Sequence, residues 1–182
     1  MNFRPTALLV RNLAFVFVSM LVSPVGATII NLSASMDCIQ ANAGAGTCAA
    51  GGTGTGTALI SYDDTSGDLN WNVAWSGLSG TTTVAHFHGP ALATQNAGVQ
   101  VDFLSLGGLL NPSIGTTAIT AAQGSDLLAG LWYVNVHSTT FPGGEIRGQI
   151  TQTAVSEPVT LALFCFGLAG IGYQRCKQIK AA

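Results

Sequence analysis

Apolar and polar positions alternate in short runs along most of this chain. The clearest run is Leu69–Trp75, with Leu69, Trp71, Val73 and Trp75 on one face and Asn70, Asn72 and Ala74 on the other. A period of two marks a strand buried on one side. Ile29–Ala34, Thr57–Tyr62, Thr81–His88, Val99–Leu104, Ile114–Thr120, Trp132–His137 and Glu145–Thr151 also read as strands. Between them lie Asp63–Asp68, Gly77–Gly80, Gly89-Pro90, Gly107–Pro112 and Ser138–Gly144, rich in the Gly, Pro, Asp and Ser of turns. Thr57–Tyr62 and Leu69–Trp75 form a hairpin with a longer loop. The three acids of that loop lack EF-hand spacing and read as a solvated turn. Thr120–Ala129 departs from the pattern: it predicts one or two helical turns with Thr120 as cap. Gly51–Gly56 is a flexible lead-in, and no Lys-Ser/Thr follows to make it a phosphate loop. The whole predicts an all-β fold, an antiparallel, Greek-key-like β-sandwich of about seven or eight short strands.

Both ends break the alternation. Arg4 and Arg11, the apolar Leu13–Val22 and the small residues Val25-Gly26-Ala27 make residues 1–27 a secretory signal segment. The apolar run is too short for a bilayer that needs about 20 residues, which favours cleavage over an uncleaved anchor. At the other end Glu157 and Pro158 open a second apolar run, Val159–Tyr173, closed by Arg175, Lys177 and Lys180. As a helix it reaches about 22 Å, less than a hydrocarbon core of about 30 Å. The basic end favours a cytoplasmic C-terminus. Three units follow: a signal segment 1–27, a domain 28–155 and an anchor or sorting segment 156–182.

Charge sharpens the picture. Of six basic residues only Arg147 lies between the two ends, against seven acids from Asp37 to Glu145. Nucleic-acid binding needs a basic footprint, which the domain lacks; a cationic partner such as a metal suits it. Cys38 and Cys48, in an exported chain, are expected to form a disulfide, since C-x9-C is not a zinc spacing.

All three histidines lie on strand-like runs. His86 and His88, two apart, share a face, with Ala85 and Phe87 on the other; His137 closes Trp132–His137. Three imidazoles suit copper or zinc and leave a coordination position open. The competing reading is a buried polar knot whose rings bond backbone or carboxylate. Asn135 shares a strand face with His137 and is placed to orient a ring; Glu145 and Arg147 share another face and are placed to pair with each other or with a histidine. No Ser-His-Asp arrangement stands out, so no catalytic residues are assigned.

Two stretches resemble known families. GTGTALISYD, WSGLSG, AHFHGPA, LWYVNVHS and PGGEIRGQI resemble, in order, the motifs of the CHRD domain, named after chordin, over nearly all of Thr28–Gln152. EPVTLALFCFGLAGIGYQRCKQ resembles a PEP-CTERM sorting signal, with Ser156 in place of its first proline, and Glu157, Pro158, Arg175 and Lys177 as its motif. That second resemblance implies processing by an exosortase-type enzyme and a transient inner-membrane anchor. It also implies a place at the surface or in the matrix of a Gram-negative bacterium, among exopolysaccharide and surface proteins. The H-x-H with a later histidine is also similar to the copper site of Cu/Zn superoxide dismutase; with no histidine left for a zinc site, a redox enzyme built here would be copper-only. Two functions are therefore expected: a non-enzymatic binding or structural module, or a copper- or zinc-dependent oxidoreductase using His86, His88 and His137.

Overall fold

The computed structural model describes residues 28–42 and 45–153. The signal segment 1–27 and the sorting segment 156–182, with Glu157, Pro158, Arg175 and Lys177 and the apolar run 159–173, lie outside the described residues. Among the described residues no helix is long and apolar enough to cross a membrane.

Among the described residues nine strands and three short helices follow one another: β1 (Ile29–Asp37), α1 (Cys38–Ala41), β2 (Thr55–Asp63), β3 (Asp68–Ser76), β4 (Thr82–His88), β5 (Val99–Asp102), α2 (Phe103–Leu106), β6 (Ser113–Ala118), α3 (Ala121–Leu128), β7 (Tyr133–Ser138), β8 (Ile146–Gln149) and β9 (Thr151–Gln152). The strands form one sheet in the order β5-β4-β7-β8-β1-β2-β3-β6, with β9 also against β1. All pairings are antiparallel. Between β8 and β1 the ladder is reduced to one opposed pair, Asp37 and Arg147. There the sheet curls, and its two halves, β5-β4-β7-β8 and β1-β2-β3-β6, turn their apolar faces to each other. The sandwich is thus one sheet folded over itself and has nine strands, more than the seven or eight expected. From β3 the chain crosses to the other half, where β4 and β5 pair, before β6 returns beside β3.

The core is built from the period-two faces. Leu69, Trp71, Val73 and Trp75 are all buried, as are Ala85 and Phe87 of β4, Val134 and Val136 of β7, and Ile146. Trp71 stacks on Phe103 at 5.1 Å and meets Phe87 edge-on at 5.8 Å, joining the two halves. Such aromatic pairs add about 0.5–1.5 kcal/mol each beyond their area.

Local chemistry sets the boundaries. The expected strand Val99–Leu104 stops at Asp102, whose carboxylate accepts from Leu104 N and caps α2. Asp37 caps α1 in the same way. At α3 the expected Thr120 cap is present, within a capping box completed by Gln123. Asp63 Oδ1 accepts from Thr65 and Ser66 N, closing the turn on itself. Cys38 and Cys48 form the disulfide.

One feature of the sheet positions the site. Every residue of β7 is buried, so both faces of this strand are covered. One face meets the core. The other is polar and lies beneath two stretches of chain, 89–98 and 139–144, bonded to it by side chains.

Candidate metal centre

On that polar face the side chains stand in rows across the strands. Asp102, His86, Asn135, Arg147 and Asp37 oppose one another in turn from β5 to β1. One row along, His88, Tyr133 and Gln149 are opposed. His137 lies opposite Val84, diagonal to His86. Antiparallel pairing of β4 with β7 therefore brings the third histidine to the H-x-H, although 51 positions separate His86 from His137.

One nitrogen from each ring falls in a set lying within 4.8 Å of one another. The remaining nitrogens are engaged elsewhere. His88 Nδ1 lies 3.0 Å from the Ala97 carbonyl and His137 Nδ1 lies 2.8 Å from the Pro142 carbonyl. A carbonyl only accepts, so both Nδ1 atoms carry the proton and both Nε2 atoms present a lone pair. His86 Nε2 faces Asp102 Oδ1 at 3.7 Å, leaving its Nδ1 toward His137 Nε2 at 3.3 Å. Metal-bound histidines commonly have this arrangement, the outer nitrogen tied to a carbonyl or carboxylate and the inner one free to coordinate.

The spacing fits a small ion in part. Two ligands about 2.05 Å from a tetrahedral ion stand about 3.3 Å apart. The His86–His137 pair has that separation, whereas a pair at 4.8 Å must close by about 1.5 Å. With a proton between them, His86 and His137 simply hydrogen-bond, which is the polar-knot reading. His88 fits that reading poorly: its Nε2 is buried and has no hydrogen-bond partner among the described residues. Leaving such an acceptor bare costs about 1–3 kcal/mol.

The surroundings disfavour the charged form of His86 and His88. Burial lowers the proton affinity of His86, His137 lowers it further, and Asp102 opposes both. His88 is pushed down to about 4, by burial foremost; the Ala97 carbonyl opposes, while His86, His137 and Arg147 add to the shift. Neutral imidazole is the form that binds metal.

Of the supporting residues expected from sequence, Asn135 stands between the histidines, its amide donating toward the Gly143 carbonyl at 3.4 Å. Glu145 and Arg147 pair neither with each other nor with a histidine. Glu145 Oε1 accepts from Ser79 N at 2.6 Å and Thr53 N at 3.4 Å, tying two loops together. Burial raises its proton affinity, but hydrogen bonds from Ser138, Ser79 and Thr53 outweigh that and lower it overall. Arg147 donates to the carbonyls of Gln95 and Leu92 and to Asn96 Oδ1 and Gln149 Oε1, and lies 3.5 Å over the Tyr133 ring. The six residues expected from sequence, on three strand-like runs, thus divide into a centre and two clamps, because residues alternate in direction but loops decide what each one meets.

Two residues at the centre were not nominated from sequence. Tyr133 stacks on His88 with ring planes 4° apart and centroids 4.9 Å apart, and donates to the Ala97 carbonyl. Its place two and four residues before Asn135 and His137 was the available signal. Asp102 had none, since its approach to His86 depends on the β4–β5 register.

The family model of the CHRD domain matches residues 39–150, a span that contains all three histidines. No curated protein and no solved structure matches the chain.

Proposed function

With the match covering more than half of its length, the chain belongs to the CHRD domain family, and we propose that it is an exported, non-enzymatic binding module that holds a copper or zinc ion through His86, His88 and His137. The observation that carries the metal reading is the convergence of three imidazole nitrogens within 4.8 Å, with the buried His88 Nε2 bare. His86 Nδ1, His88 Nε2 and His137 Nε2 are the proposed donors, by the tautomers their outer partners impose. Three such ligands leave a further position for water or for a group on a partner. The partner class proposed is exopolysaccharide or protein of the surface matrix. The module reaches it through the secretory segment 1–27 and the sorting segment 156–182, the latter handled by an exosortase-type enzyme of a Gram-negative bacterium.

The test is the metal content of the full chain, purified without a polyhistidine tag after growth with copper and zinc. About one ion per chain is expected, falling below a tenth in His88→Ala and His137→Ala variants that remain folded. A metal-free wild-type chain that also refuses both ions in titration would end the metal reading. For sorting, cell fractionation with intact-mass measurement is expected to find the chain at the surface without residues 1–27; full-length chain in the cytoplasm would contradict it.

A dismutase-like, copper-dependent oxidoreductase is the second reading, favoured by the part-exposed His86, which leaves the centre open to solvent on one side. Electrostatics oppose it. The domain is acidic, and Arg147, its one basic residue between the terminal segments, is 1% exposed and cannot steer an anion at the surface. Superoxide consumption by the copper-loaded chain decides: a rate no better than that of free copper excludes this reading.

A further inference from the structure

Resting on the metal reading above, we propose that this centre selects copper in the monovalent state, Cu(I), over Cu(II) and Zn(II), through the charge of Arg147, which no carboxylate pairs with directly. The three ligands are neutral imidazoles, and no carboxylate or thiolate belongs to the converging set. Immediately behind them lies a fixed cation. Tyr133 is flanked from the β8 side by the Arg147 guanidinium, at 3.5 Å, and from the β4 side by the stacked His88 ring. Every hydrogen bond from that guanidinium goes to a neutral oxygen, of Gln95, Asn96, Leu92 or Gln149. Asp37, opposite Arg147 in the sheet, and Glu145, two residues before it, accept from Gln40 and from the Ser79 and Thr53 amides respectively, and neither carboxylate forms an ion pair with the guanidinium. Among the described residues the one ion pair is His86 with Asp102.

The two charges set directly against the histidine rings, Arg147 behind Tyr133 and Asp102 beside His86, are unequal. Arg147 is buried, so its field reaches the centre less screened than that of a surface charge. The Asp102 side chain is 42% exposed, and water screens it. A monovalent ion adds one positive charge beside the guanidinium, and a divalent ion adds two. Over roughly 10 Å at an effective dielectric of about 20, that second charge disfavours the divalent ion by a factor of about 10–20. Trigonal coordination by three nitrogens, with no anionic ligand, suits a monovalent copper ion without further compensation.

The experiment measures separate affinities of the full, tag-free chain: Cu(I) by anaerobic competition with bicinchoninate, Cu(II) and Zn(II) by competition with nitrilotriacetate. Wild type is expected to hold Cu(I) at least tenfold more tightly than either divalent ion. Arg147→Gln removes the charge and keeps an amide donor; it is expected to lower the Cu(I):Cu(II) affinity ratio about tenfold. Asp102→Asn preserves the cap on α2 and removes the opposing charge, so the ratio is expected to rise severalfold; this variant and wild type decide the matter if Arg147→Gln does not fold. Wild type binding Cu(II) or Zn(II) as tightly as Cu(I) would overturn the proposal while leaving the metal reading intact. A uniform loss for all ions in Arg147→Gln, with the ratio unchanged, would overturn the charge mechanism and leave Arg147 as a scaffold for His88. Failure of all three ions to bind wild type would defeat the metal reading itself.

Discussion

His88 shows most clearly what a single residue does here. It is 8% exposed, stacked on Tyr133 and tied to Ala97, and its proton affinity falls to about 4. An unfolded histidine titrates near 6.5. Between those two values the unfolded chain takes up a proton that the folded one refuses, so acidification favours unfolding. The metal-free protein is expected to lose on the order of 3 kcal/mol as pH falls from about 6.5 to about 4, with no further loss from this group below that. Urea unfolding across that range measures it, and His88→Gln should remove most of the slope. Parallel pH profiles for variant and wild type would contradict this. The side-by-side placement of His86 and His88 was readable from their spacing, because strand residues two apart share a face. Their tautomers were not. Those of His88 and His137 are set by the carbonyls of Ala97 and Pro142, and a backbone carbonyl carries no signature of its residue type.

At the scale of elements, the alternation of β3 translated directly into its buried face, and the Thr120 cap into the start of α3. The pattern missed what depends on partners. The expected strand Val99–Leu104 became β5 and α2 because an aspartate in extended conformation offers its carboxylate to the next turn. Nothing local foretold that β6 would lie beside β3. That pairing places Gly115 opposite Trp71, and the indole lies where a Gly115 side chain would be. Gly115→Ala is therefore expected to destabilise by about 1–3 kcal/mol, since Trp71 packs between Phe87 and Phe103 and has little room to yield. Chemical denaturation checks this; a change below about 0.5 kcal/mol would mean that the two halves meet differently.

For the whole molecule, one curled sheet does two jobs: it closes the apolar core, and it leaves a buried polar face under two loops. The Cys38–Cys48 disulfide pins the chain where β1 passes into α1. The chain-entropy model gives closing so short a loop at most about 2.8 kcal/mol. Unfolding with and without a reductant should differ by up to that amount, and equal midpoints would show that the crosslink constrains nothing the fold does not already constrain. The fold class was legible because many short alternating runs admit few other architectures. The meeting of β4 with β7 was not, since contacts between residues 51 positions apart are decided by the closure of the sheet. That meeting is what makes a metal centre possible, and a crystal of the tag-free chain grown with one equivalent of copper tests it most directly. Anomalous diffraction at the copper edge should show a single peak about 2.0–2.1 Å from His86 Nδ1, His88 Nε2 and His137 Nε2. A peak at any other site, or none near these rings, would contradict the assignment.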